Sequence, residues 1–132
     1  MRKPEQLFWT YLHDNAILRG HVLRIENKIG AGTPDVNLCD HGRETWIELK
    51  VGDPKSLVTR LLEPEQIAWH MARVVYGQGS VFVLTLHNDV VYLHRAVANV
   101  NKHKRYSLVT SVHRIAGREA VSAVVMGGIW SL

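Results

Sequence analysis

The chain has 132 residues, 46% hydrophobic and 21% charged, the size and balance of one globular domain with its own core, which excludes a disordered or fibrous chain. Sixteen Lys and Arg against twelve Asp and Glu give a formal net charge of +4 and a pI near 9.5, which favours a polyanionic partner. Cys39 is the single cysteine, which excludes an internal disulfide and a Cys-based zinc site.

Met1 to Gln6 is not followed by the apolar segment of a signal peptide. No apolar run approaches the ~18 residues of a membrane span. The expectation is a soluble cytoplasmic protein with no membrane partner.

Pro4 suits a helix first turn, and Leu7, Phe8, Tyr11, Leu12 and Leu18 recur at helical spacing, predicting a helix over about residues 4–19 closed by Gly20. His21 to Lys28 reads as a strand, and Ile29 to Thr33 as a loop with two glycines. A hairpin follows over about 35–51, turning at His41-Gly42. Cys39 falls in its apolar first strand and reads as an inert, packed thiol. Gly52 to Glu63 is a polar loop carrying Lys55 and Arg60.

Pro64 opens a second helix with an apolar stripe of Ile67, Ala68, Met71, Val74 and Val75, and Gly77 stops it. Ser80 to Leu86 and Val90 to His94 form a second hairpin across Asn88-Asp89. The first of these strands is continuously apolar, as a strand covered on both faces should be. Beyond about residue 95 the pattern weakens. Asn101 to Tyr106 reads as a basic loop, Val121 to Val125 as strand or helix, and the apolar tail Ile129 to Leu132 as docking on the core or on a second subunit. The order helix–strand–hairpin–helix–hairpin implies an α/β fold, a central mixed sheet flanked by helices, in a single domain over 1–132.

The first hairpin carries the chemistry. If His41-Gly42 is a two-residue loop, counting outward from the Asp40–Arg43 pair sets Asp35 directly opposite Glu48. Side chains alternate along a strand, so Lys50 shares the face of Glu48, while Val36, Leu38, Ile47 and Leu49 share the other. Two opposed carboxylates destabilise a sheet unless something sits between them, and a divalent cation is the simplest candidate. Mg²⁺ takes oxygen ligands and keeps several waters, so two or three protein oxygens suffice. Asp35, Glu48 and the backbone carbonyl of Leu49 supply them. Lys50 is placed to orient an attacking water or to neutralise a phosphate.

Asp35…Glu48-x-Lys50, with Pro34 before the aspartate, resembles the signature of the PD-(D/E)XK nuclease superfamily. Gly30-Ala31-Gly32-Thr33-Pro34-Asp35-Val36, then Trp46-Ile47-Glu48-Leu49-Lys50, then Leu62-Glu63-Pro64-Glu65-Gln66-Ile67-Ala68-Trp69-His70 is more closely similar to its VRR-NUC branch. The resemblance covers about residues 4–94 and leaves 95–132 as an extension serving dimerisation or DNA contact. It implies a restriction-endonuclease-like αβββαβ core, and Mg²⁺- or Mn²⁺-dependent cleavage of DNA. Stand-alone members resemble homodimeric enzymes of DNA repair and recombination that cut branched DNA such as Holliday junctions. Gln66 corresponds to a glutamine that follows the catalytic hairpin. Many members add an acidic residue from the first helix; Glu5 holds that place here, with Glu26 as its competitor.

Of the eight histidines, none forms a ligand pair at helical spacing, and His70, beside Trp69, is the one expected at a phosphate. Lys55, Arg60, Lys102, Lys104 and Arg105 are candidate contacts to the DNA backbone, which sets affinity without reading sequence. Two rival readings share the fold: a sequence-specific restriction-type endonuclease, and a catalytically silent DNA-binding or assembly module.

Overall fold

Among the residues that the computed structural model describes (4–26, 32–53, 61–77, 81–99, 105–114 and 126), the elements run in one order. They are α1 Pro4–Asp14, β1 His21–Arg24, β2 Val36–Asp40, β3 Arg43–Val51, α2 Pro64–Gly77, β4 Val81–His87, β5 Val90–Asn99 and β6 Arg105–Arg114. The strands form one sheet in chain order, antiparallel throughout except that β3 and β4 are parallel. A parallel pair needs a crossover, and the segment containing α2 supplies it. The coarse α/β expectation therefore holds, as does the helix–strand–hairpin–helix–hairpin order.

Both hairpins turn as expected on two residues with positive φ, His41 (49°) and Gly42 (79°) in the first, Asn88 (49°) and Asp89 (61°) in the second. Mirror-image turns of this kind match the right-handed twist of the strands they join. The first turn fixes the register Asp40↔Arg43 through Val36↔Ile47. Val36, Leu38, Ile47 and Leu49 then share one face and are buried with Phe8 and Leu12 of α1, Phe82 and Leu84 of β4, and Val91 and Leu93 of β5. Trp46, Glu48 and Lys50 alternate to the other face, where Trp46 meets Trp69 of α2. The two helices thus cover opposite faces of the sheet. Val81 to Thr85 are all buried, as a strand covered on both sides requires.

α1 stops five residues earlier than expected. Ile17 N–H bonds the Leu12 carbonyl (3.0 Å) and Ala16 N–H the His13 carbonyl (3.1 Å), with Ala16 left-handed at φ 51°. This pair of bonds is a Schellman cap. It turns the chain so that Ile17 and Leu18 enter the core from outside the helix, which is why their apolar spacing mimics a further turn. An alanine at this position is strained, so Ala16→Gly should stabilise the fold by about 1 kcal/mol, read as a higher Tm in thermal melts.

Four other expectations are corrected. Strand β1 ends at Arg24, short of Lys28. Cys39 is exposed, because alternation points it to the α2 side of the sheet while α2 lies over β4, β5 and β6. On α2, Ala68 and Val75 are exposed and His70 takes the buried position. The sheet face beneath it carries the polar Glu48, Thr85 and His94, so an imidazole fits there where a larger apolar stripe does not. Finally, β5 runs on to Asn99, and Arg105 and Tyr106 pair with Asn99 and Ala98 at the start of β6, so they belong to a strand and not to a basic loop. Val121 to Val125 and the tail Ile129 to Leu132 lie outside the described residues.

Candidate active site

Pro34 and Asp35 end the hairpin ladder in a particular way. Asp35 offers its carbonyl to Ile25 N–H (2.7 Å), on the β1 side, so Val36 and Pro34 face β3. Continuing the register by one residue sets Asp35 opposite Glu48, and by two sets Pro34 opposite Leu49. Proline has no N–H, so it cannot bond the Leu49 carbonyl across the ladder. The Leu49 N–H is met instead by the Asp35 side chain, Oδ2 at 2.8 Å. That bond fixes the Asp35 carboxylate against the backbone of β3.

Glu48 is 1% exposed, although a carboxylate is costly to bury without compensation. Compensation comes from the start of α2. Glu63 is the N-cap: its carbonyl accepts from Gln66 N–H (3.0 Å) and Ile67 N–H (3.1 Å). Pro64 occupies the first helical position, where its missing N–H costs nothing. Gln66 at the third position folds back, its Oε1 accepting from Glu63 N–H at 2.8 Å, one of the two bonds of a capping box. That bond orients the amide, so its Nε2 donates to Glu48 Oε2 in a long contact of 3.4 Å. The positive end of the α2 dipole adds to the same effect. Gln66 therefore ties the helix start to the buried carboxylate, a task for an amide with both a donor and an acceptor.

Gly32 sets the spacing of these parts. Its φ is +83°, and a Cβ there would fall 2.1 Å from the Glu65 carbonyl oxygen and 2.7 Å from Gln66 N. Only glycine lets the loop before Asp35 lie against the first turn of α2.

Lys50 is half-buried on the Glu48 face, and it lies close enough to His70 for its charge to act there. His70 is 0% exposed, and its pKa is lowered to about 4, by burial first and by Lys50 second, with Asp35 opposing. His70 is fully buried, its ring edge-on to Trp69, a position that does not fit the expected contact with a DNA phosphate. His94, also buried, bonds Thr85 Oγ1 through Nε2 at 2.8 Å, and burial lowers its pKa to about 4.

These two histidines predict acid lability. Above pH about 6.5 both are neutral whether folded or not. As pH falls from about 6.5 towards 4, the unfolded chain takes up protons that the folded chain refuses, so stability falls. The slope is at most about 1.4 kcal/mol per pH unit for each histidine. Melts across this window should show a smaller drop for His94→Gln, which keeps an amide for Thr85, than for the native chain; equal drops would contradict the assignment.

Among the described residues, no group of three or more His, Cys, Asp or Glu side chains is arranged to hold a metal ion. Glu5, half-buried in the first turn of α1, and Glu26, exposed after β1, are not gathered with Asp35 and Glu48. The oxygens that could serve a hard cation are those the sequence singles out, the Asp35 and Glu48 carboxylates and the Leu49 carbonyl, since an ion that keeps several waters needs only two or three. Lys55, Arg60, Lys102 and Lys104 lie outside the described residues. Arg105 begins β6, and no helix among the described residues is long and apolar enough to cross a membrane.

Sequence reasoning missed a second cluster. Trp46 and Trp69 meet edge to face at 5.2 Å between centroids, and the Arg73 guanidinium lies over both rings, 5.7 and 4.8 Å from their centroids. The signal available was the spacing Trp69, Arg73, Tyr76, off the apolar stripe of α2. In comparisons with known proteins, no family model, no curated protein and no solved structure matches this chain.

Proposed function

We propose that this chain is a metal-dependent endodeoxyribonuclease of VRR-NUC type, within the PD-(D/E)XK superfamily, that hydrolyses phosphodiester bonds of branched DNA as a homodimer. The reading rests on two carboxylates that the hairpin register, continued one residue past Val36–Ile47, sets opposite each other, Glu48 being buried, and each is held by a donor: Gln66 for Glu48, the Leu49 amide for Asp35. Opposed carboxylates raise the energy of the fold when nothing lies between them. A protein that keeps such a pair, and orients it, is built for a cation. The αβββαβ order of the elements is also the order that the resemblance implies.

Asp35, Glu48 and the Leu49 carbonyl would hold Mg²⁺ or Mn²⁺, which when bound supplies charge neutralisation and an acidified water. Gln66 holds the Glu48 carboxylate in place, and the Leu49 N–H does the same for Asp35. Lys50 brings a positive charge to the same face, where it orients the attacking water or offsets charge on the phosphoryl oxygens. The net charge of +4 draws the polyanion in. Paired cuts across a junction need two sites related by a twofold axis, and one chain offers one.

The test is a panel of end-labelled four-way junction, matched duplex and single strand, each without metal, with Mg²⁺ and with Mn²⁺. Symmetric nicks confined to the junction support the proposal. Cleavage of plain duplex at one sequence supports the restriction-type alternative, and no cleavage with either metal supports the silent-module alternative.

A further inference from the structure

Trp69, Ala72, Arg73 and Tyr76 line a cavity of about 310 Å³, at the lower end of volumes that hold small ligands. Spaced three, four and seven residues from Trp69, they form one stripe along α2. Surface helices ordinarily carry polar residues outside the buried stripe, yet Tyr76 is 89% exposed. A phenol that far into water contributes little to the packing of the fold. The stripe is continuous with the candidate active site. Trp46 stands two residues before Glu48 on the same strand face, and Trp69 lies one helical turn beyond Gln66, which bonds Glu48. From Gln66 to Tyr76 the helix rises about 15 Å, the length of about four stacked nucleotides.

We propose that Trp69, Arg73 and Tyr76 form a subsite for unpaired, single-stranded DNA leading away from the candidate active site. The inference deepens the nuclease reading and rests on it for the strand's course towards the scissile phosphate. Aromatic rings offer a stacking surface to any base, and a guanidinium beside them meets the phosphates between bases. The position of Arg73 answers a polyanion, as does the basic balance of the chain. A base inside a duplex has both faces covered by its neighbours, so this surface takes only a base that has left the stack. Such bases occur at branch points and strand ends. The subsite therefore gives the fold a means of preferring branched over uniform duplex DNA without reading sequence.

The experiment uses the native chain in EDTA, so that binding is read without cleavage. A fluorescently labelled oligothymidylate of about 15 nucleotides, within the span of known single-strand sites, is titrated against a duplex of equal length. The single strand should bind more tightly and quench tryptophan emission. Tyr76→Ala should weaken single-strand binding about tenfold, the effect of one lost base–aromatic stack, while Tyr76→Phe restores it and duplex affinity stays the same. Equal single-strand affinity for native, Tyr76→Ala and Arg73→Gln proteins would overturn the proposal. So would a Tyr76→Ala chain that binds the strand normally but elutes as a smaller species on sizing, which would assign the stripe to a protein interface, since such interfaces also favour Trp, Tyr and Arg. Strand binding through Tyr76 in a chain that cuts no DNA with either metal would uphold this subsite and overturn the nuclease reading alone.

Discussion

Glu48→Gln should give a protein that is more stable than the native one without metal and inactive with it. The substitution keeps the shape and an oxygen to accept from Gln66, whose contact with Glu48 Oε2 is long at 3.4 Å. It removes a buried charge that the continued register sets opposite Asp35. Relief of like-charge opposition in a sheet amounts to about 1 kcal/mol, and removal of a buried carboxylate acts in the same direction. Metal should reverse the order. Mg²⁺ at a hundredfold its Kd should stabilise the native chain by about 2.7 kcal/mol and leave the variant nearly unchanged. Cleavage should fall about 10³-fold or more, because several kcal/mol of charge stabilisation in the transition state depends on the ion. Thermal melts with and without Mg²⁺, beside a cleavage assay, read all three effects. A variant that gains as much from Mg²⁺ as the native chain would show that Glu48 is no ligand.

Lys50→Met should separate catalysis from binding. The aliphatic stem is kept, so packing on the Glu48 face survives. The lost charge should lower the cleavage rate by about 10²- to 10⁴-fold, with junction affinity in EDTA largely unchanged. A second readout needs no DNA. The positive charge of Lys50 is one cause of the low His70 pKa of about 4, so its removal should move that titration upward. It should remain below the ordinary histidine value, because burial is the larger cause. Imidazole resonances followed by NMR against pH report this shift. If DNA binding and cleavage fall together, or if His70 titrates as before, Lys50 has a structural role instead.

Much of this arrangement was legible because strands and tight turns are local. A two-residue turn at His41-Gly42 fixes every pair outward from it, so the register from Asp40–Arg43 to Val36–Ile47 follows from counting. The apolar residues on the alternate positions agree with that count. The start of α2 was equally readable from Pro64, whereas the capping bond of Gln66 to Glu63 was not read there. What escaped depended on packing between distant parts. The Schellman cap at Ala16 uses an alanine where the usual signal is glycine, so the helix appeared to continue. Cys39 looked buried because its neighbours are apolar, but no spacing reveals that α2 stops short of covering β2. His70 looked like a surface ligand because its burial depends on the polar floor made by β3, β4 and β5. The extension of β5 into β6 rests on a ladder of ten pairs, none of which carries a strong turn signal in the sequence.

The central claim is that Asp35 and Glu48 form a cation site for cutting DNA. It is tested most directly by cleavage of an end-labelled four-way junction, comparing the native chain with Asp35→Asn in Mg²⁺, in Mn²⁺ and in EDTA. The asparagine oxygen can still accept from Leu49 N–H, the bond of 2.8 Å that Asp35 makes now, so the variant should fold. The expected result is nicking by the native chain with metal alone, and none by Asp35→Asn under any condition. Equal nicking by both proteins, or nicking by the native chain in EDTA, would contradict the claim.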